Sequence, residues 1–290
     1  MIDNLRPNNC SFFSCFFKNG GRVKVTKMKI DVHGHIGSVN MHPNWTADGD
    51  KVSEMTRKAG VDHCFVSSAK SIMYDTCQGN EDVLESVKKY DNIWGYMVVN
   101  PYFPESFRYL DYIGKEKKII GCKIHPDYHG YDLSSPMGKD LVKRVIDYAQ
   151  LILFHTSCMA GTGFSRIETI GEFASQYPKN TFISAHLAGL YQNPLYPYYL
   201  NYSGLEKAAQ INLPNLFIDT SSYWIYAYPG VMQNIVNIVG AEHLVFGTDI
   251  PIQSDMQIRF KITAIESLDI PQSDKERIYS KNINTILKLF

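Results

Sequence analysis

The sequence predicts an α/β fold, a single (β/α)8 TIM barrel over residues 28–290 preceded by a short N-terminal extension over residues 1–27. Three observations carry that expectation. From Met28 onward, short β-branched runs alternate with longer amphipathic segments. The runs recur at a spacing of roughly 30 residues, the period of repeated strand–helix units. Most are apolar throughout rather than strictly alternating, as strands covered on both faces are. A doubly wound open sheet is the competing arrangement, but no Gly-rich phosphate-binding turn follows the first run.

Taken in order, the predicted strands are 29–33, 62–67, 93–99, 119–124, 151–155, 181–185, 215–219 and 243–247. Helical periodicity fills the gaps. Leu141, Val142, Val145, Ile146 and Ala149 form one apolar stripe, and Ile258, Ile262, Ile265 and Leu268 another. Ile278, Ile283, Ile286 and Phe290 form a third at the C-terminal end. The first 27 residues read differently, with an Asn19-Gly20-Gly21-Arg22 junction before a clean strand pattern starts at Met28. They are expected to lie outside the fold, and Met28 is a candidate translation start.

Composition narrows the function. The chain has 290 residues, 44% of them hydrophobic, and its 29 Lys+Arg balance 29 Asp+Glu to a net charge of +0. That is the make-up of a folded chain with a large core. A nucleic-acid binder would carry a basic surplus, so no nucleic-acid partner is expected. No apolar run reaches the ~18–20 residues of a membrane span, and no membrane association is expected. The apolar stretch from Ser11 to Phe17 is interrupted too early, at Lys18, for a secretory signal. Six scattered cysteines read as reduced thiols, and the cytoplasm is the compartment expected. Of these, Cys64, Cys122 and Cys158 lie within or beside apolar runs, where free cysteine behaves as a small hydrophobe.

In a barrel of this kind the active site lies at the C-terminal ends of the strands. Those ends read Asp31-Val-His-Gly-His35, Cys122-Lys-Ile-His-Pro126, Phe154-His-Thr-Ser157, Ala185-His-Leu-Ala-Gly189 and Gly247-Thr-Asp-Ile-Pro251. Five of the nine histidines fall there, which chance placement would not produce. Residues i and i+2 of a strand share a face, so His33 and His35 can reach one point inside the barrel mouth. Neutral imidazole is a ligand for zinc and other borderline cations, and three protein ligands plus a water make the usual catalytic arrangement. His155 and Asp249, also at strand ends, complete a candidate constellation. The remaining histidines, His42, His63, His129 and His243, have no comparable surroundings, and His243 at the start of the last strand reads as structural.

These stretches, with Phe246-Gly-Thr-Asp-Ile-Pro251 and the C-terminal Asn282-Ile-Asn-Thr-Ile-Leu287, resemble the amidohydrolase superfamily, and most of all its amidohydrolase-2 branch. That branch holds hydrolases, lactonases, hydratases and non-oxidative decarboxylases of the aminocarboxymuconate-semialdehyde and resorcylate types. The resemblance implies a divalent metal, zinc before others, with His33, His35, His155 and Asp249 around it. It implies that Asp249 also accepts the proton of the attacking water and that His186 acts on the substrate as an acid/base or polarising group. Lys123 is open. It is a carbamylated bridge to a second metal, with His155 and His186 as further ligands, a cation for a substrate carboxylate, or a structural lysine that packs its stem and extends its charge to water.

His125 reads as a pocket wall or as a partner that orients a ligand. Arg166 is a candidate carboxylate clamp, or else a solvated helix residue. The loops after the sixth and seventh strands are rich in aromatics, and Tyr223 and Trp224 in the second suit a flat conjugated acid. Packing of these loops on each other or in a homodimer is the alternative. The function expected is a metal-dependent hydrolase acting on an amide, lactone or ester of a small acid. A carboxy-lyase on the same scaffold is the alternative, and a non-catalytic barrel is disfavoured because every metal position is filled.

Overall fold

Eight parallel strands close into a barrel in the computed structural model, which describes residues 28–38, 46–158, 163–189, 192–193, 196–221, 230–252 and 254–288. They are β1 (Ile30–Ser38), β2 (His63–Ser68), β3 (Ile93–Val98), β4 (Ile119–Ile124), β5 (Leu151–Phe154), β6 (Thr181–Ser184), β7 (Leu216–Asp219) and β8 (Leu244–Val245). Each pairs in parallel with the next. Beyond β8 the chain continues alongside β1 and closes the ring. Val32 N–H donates to Phe246 O at 2.9 Å, Asp249 N–H to His33 O at 2.7 Å and His35 N–H to Ile250 O at 2.6 Å. The open-sheet alternative is thereby excluded. β1 runs past its predicted end at residue 33 because its far half gains an antiparallel partner, Thr46–Ala47.

Side-chain alternation builds two layers of core. One row fills the barrel interior: Ile30 and Val32, Phe65, Trp94 and Tyr96, Leu151 and Leu153, Ile183 and Ala185, Phe217, and Val245. The intervening residues, among them Cys64, Met97, Ile152, Phe154, Phe182, Ile218 and Phe246, pack outward against the helices. Burial on both faces explains why the strands read as continuous apolar runs.

The helices lie between successive strands, and their ends follow local chemistry. In α1 (Gly49–Ala59) the Asp48 side chain accepts from Lys51 N–H, and Gly60 ends the helix at a φ of 77°. In α2 (Pro136–Val145) Ser135 caps the start and Pro136 opens the first turn. In α3 (Asp255–Glu266) Ser254 does the capping. The C-terminal stripe starts in a π-helical turn, Arg277–Lys281, and continues as α4 (Asn282–Leu287). His243, at the N-terminal end of β8, holds the barrel's other rim together through Leu216 O at 3.1 Å and Asn212 Oδ1 at 3.0 Å. Among the described residues no helix is long and apolar enough to cross a membrane.

Candidate metal centre

An irregularity in β1 aims the two histidines. The pairing of β1 with β2 shifts between Asp31 and Gly34. Ile30 and Val32 face the barrel interior before the shift, whereas His33 and His35 reach the mouth after it, where both meet Asp249. Bulges of this kind re-aim side chains beside active sites. Gly34 between them has no room for a side chain: an added Cβ would lie 2.7 Å from Cys64 Sγ and 2.9 Å from Ile250 Cγ2. His33, His35 and Asp249 then present three ligand atoms within 4.8 Å of one another. His35 Nε2 lies 3.0 Å and His33 Nε2 3.5 Å from Asp249 Oδ1.

The outer nitrogens of both rings are already engaged. His33 Nδ1 donates to Asp219 Oδ2 at 2.7 Å, which fixes the tautomer and leaves Nε2 as a lone pair facing the mouth. His35 Nδ1 lies 2.9 Å from Ser67 Oγ. Two oriented imidazoles and one carboxylate are a donor set that fits a borderline divalent cation. Lys123, fully buried, points its Nζ at His33 Nε2 from 3.0 Å.

A second group adjoins the first. His155, Cys158 and His186 likewise offer three ligand atoms within 4.8 Å. His186 Nε2 is 3.0 Å from His155 Nδ1, and His155 Nε2 is 3.0 Å from Asp127 Oδ2. His186 also stands between the two groups, with Nδ1 4.0 Å from Asp249 Oδ2. The backbone here is unusual. His186, Leu187, Ala188 and Gly189 all have positive φ, as does Asp249 at 61°. Each such non-glycine residue costs on the order of 1–3 kcal/mol and persists only where its surroundings over-determine it. The Asp219 carboxylate supplies part of that constraint by accepting His186 N–H at 2.9 Å and Ser221 N–H at 2.9 Å.

Burial sets the electrostatics. It pushes His33 down to about 3, with the neighbouring Lys123 charge adding to the effect. His186 falls to about 4 for the same first reason, and His155 is also lowered by burial. Lys123 is pulled down to about 8, again by burial. Burial would raise Asp249, but the rings of His33 and His35 outweigh it and hold the carboxyl well below the ordinary carboxylate range. At neutral pH His33 and His186 are therefore neutral imidazoles beside an ionised Asp249 carboxylate.

The residues expected from sequence divide clearly. His33, His35 and Asp249 come together, with His186 and Lys123 beside them, while His155 lies with His186 and Cys158. His125 stacks on His155, ring centres 3.9 Å apart and 13° from parallel, and Tyr128 stacks on its other face at 4.5 Å. Arg166 is exposed and spends its Nε on Gly163 O at 3.1 Å. Tyr223, Trp224, His42 and residues 1–27 lie outside the described residues. Cys158 differs from the small-hydrophobe expectation: it follows the end of β5 at the mouth instead of packing inside the strand, and meets two histidines. Sequence reasoning passed over Asp219, Asp127, Ser67 and Ser221. Asp219 alone had a visible signal, being the last residue of the seventh predicted strand.

The amidohydrolase family model matches residues 30–289.

The chain belongs to the amidohydrolase family.

No curated protein matches it. Among solved structures it is similar to 5-carboxyvanillate decarboxylase from Sphingomonas paucimobilis, at 12% identity and a TM-score of 0.64, covering 91% of this chain and 99% of that one. It is also similar to 2,6-dihydroxybenzoate decarboxylase from Rhizobium, at 13% identity and a TM-score of 0.63, covering 90% and 99%. A third is a probable 2-pyrone-4,6-dicarboxylic acid hydrolase from Acinetobacter baumannii, at 15% identity and a TM-score of 0.63, covering 90% and 99%. At these identities the likeness shows the fold, which this amidohydrolase chain shares from end to end of each neighbour.

Proposed function

We propose that the protein is a metal-dependent hydrolase that directs a water at the carbonyl carbon of an amide, lactone or ester of a small, flat acid. The observation that carries the reading is the convergence of His33, His35 and Asp249, whose three ligand atoms lie within 4.8 Å of one another at the mouth. Asp249 is ionised, and His186 and His155 are lowered by burial, so the imidazoles facing the pocket carry lone pairs to share. His33, His35 and Asp249 would hold the cation, and two imidazoles with a carboxylate suit zinc. When bound, such an ion lowers the pKa of a coordinated water to about 7 and polarises a carbonyl oxygen.

Asp249, held between His33 and His35, accepts the proton of the attacking water at Oδ1 or Oδ2. His186, fixed by its Nδ1–H on Ser221 O at 2.9 Å, stands over the same carboxylate and orients the substrate. The stacked rings of His125 and Tyr128 form a flat wall, and Lys123, buried with its Nζ 3.0 Å from His33 Nε2, is the cation that would meet a substrate carboxylate at the mouth. The neighbours named for conjugated carboxylic acids support that substrate class.

Carbon–carbon lysis is the second reading, and Lys123 is what favours it. At about 8 its ammonium still carries a proton at neutral pH and can deliver it to carbon after loss of CO₂. A panel of lactones, amides, esters and hydroxybenzoates, run in heavy-oxygen water, tests the choice. Hydrolysis is expected to place one heavy oxygen in the product and release no CO₂. Release of CO₂ with no label in the product would replace the hydrolase reading with the lyase.

A further inference from the structure

The inward face of α3 carries one residue out of character. Ile258, Lys261 and Ile265 are its buried side chains, and Lys261 stands among the isoleucines at 1% exposure. A lysine is almost never fully buried without a partner. Its Nζ donates to the Thr248 carbonyl at 3.0 Å, and the carboxylates of Asp249, Asp31 and Asp219 act on its charge. That carbonyl belongs to the peptide unit that leads into Asp249. The N–H at the other side of the same unit donates to His33 O at 2.7 Å. Held at both polar groups, the unit has a fixed plane, and Asp249 leaves it at a φ of 61°, which a non-glycine residue keeps only under constraint. Asp31 fixes the preceding residue by accepting Thr248 N–H at 3.0 Å and the Thr248 hydroxyl, and it also accepts His33 N–H at 3.1 Å.

We propose that Lys261 is a positioning residue for the candidate metal centre: by fixing the carbonyl of the Thr248–Asp249 unit, it keeps Asp249 in the left-handed conformation that aims its carboxylate at His33 and His35. Its consequence for metal binding rests on the reading of Asp249 as a ligand; its hold on the backbone does not. Thr248 is fully buried, so removing the ammonium leaves its carbonyl short of a partner and out of reach of water. Turning the peptide unit toward another donor then relaxes φ at Asp249 and swings the carboxylate away from the two rings. Lys261 acts only through Asp249, and it ties the seating of α3 to the geometry of the mouth.

Amide exchange on the metal-free full-length protein reads the backbone directly. Lys261→Met keeps the stem and removes the donor. In it, the Asp249 and His35 N–H groups that close the barrel are expected to exchange about tenfold faster than in wild type. Ile265→Ala removes buried packing from the same helix and leaves the lysine, and is expected to speed these two amides no more than the rest of the core. Zinc affinity, read by chelator competition, is expected to fall about 10–100-fold in Lys261→Met and to stay near wild type in Ile265→Ala. Should Lys261→Met not fold, the wild type carries the test: its Lys261 ammonium protons are expected to show nuclear Overhauser contacts to Thr248. Four results would overturn the proposal: unchanged exchange at the two amides in Lys261→Met; an unchanged zinc affinity in that variant; the same selective losses in Ile265→Ala; or no such contacts in wild type. A wild type that binds no zinc defeats the metal reading and leaves the exchange result to decide the role of Lys261, so the two failures are distinguishable.

Discussion

Asp219 is what would make His33 a ligand instead of a merely buried histidine. By accepting from Nδ1 at 2.7 Å it fixes the proton on the far nitrogen, and the same carboxylate holds His186 through its backbone N–H. Outer partners of this kind are worth roughly 10–100-fold in metal affinity. Asp219→Asn is expected to weaken binding at the first site by about that factor, measured by competition with a chromophoric chelator. An unchanged affinity would show that the tautomer is fixed by Ser221 alone. At this scale the sequence was legible only in part. His-x-His at a strand end declares itself, because two imidazoles two residues apart have few other uses. Asp127 and Ser67 do not: a carboxylate one residue into a turn, or a serine in a strand, looks like any other until the fold puts it 3.0 Å from His155 or 2.9 Å from His35.

At the scale of elements, the register shift in β1 and the left-handed turn after β6 place the chemistry. The strands themselves could be read from apolar runs because burial on both faces leaves little room for polar residues. The shift could not, since it depends on how β1 pairs with β2 and not on any residue pattern. It does have a sequence footprint in Gly34, whose missing side chain lets Cys64 and Ile250 close in. Gly34→Ala is expected to cost about 1–3 kcal/mol by overpacking and to displace both histidines. The test is a urea midpoint together with metal content. A variant as stable and as metal-loaded as wild type would mean that the strand tolerates a side chain there. Combining it with Cys64→Ala should recover part of the stability, since that removes the nearer of the two clashing atoms.

Across the whole molecule, closure of the ring by β1 and the chain after β8 brings residues far apart in sequence, His33 and Asp249, to within 3.5 Å. Concentrating so many neutral histidines in a buried mouth has a consequence for pH. His33, His129 and His186 are lowered from 6.5 to about 3, 4 and 4, each first by burial. Their folded values lie below their unfolded ones, so the unfolded chain takes up protons first as pH falls. The stability they contribute is complete above about 6.5 and is lost progressively toward pH 4. Asp31 runs the other way, raised by burial from 3.8 to about 7, and offsets part of the loss. The metal-free protein is expected to show a lower urea midpoint near pH 5 than near pH 7.5; a flat profile would mean that these rings are solvated.

The central claim is that His33, His35 and Asp249 hold a divalent ion, and metal content tests it most directly. Elemental analysis of wild type and His33→Ala, both purified without chelator from metal-replete medium, is the measurement. The wild type should carry at least about one zinc-like ion per chain, and the variant should carry one fewer. A metal-free wild type, or a variant with an undiminished count, would contradict the account.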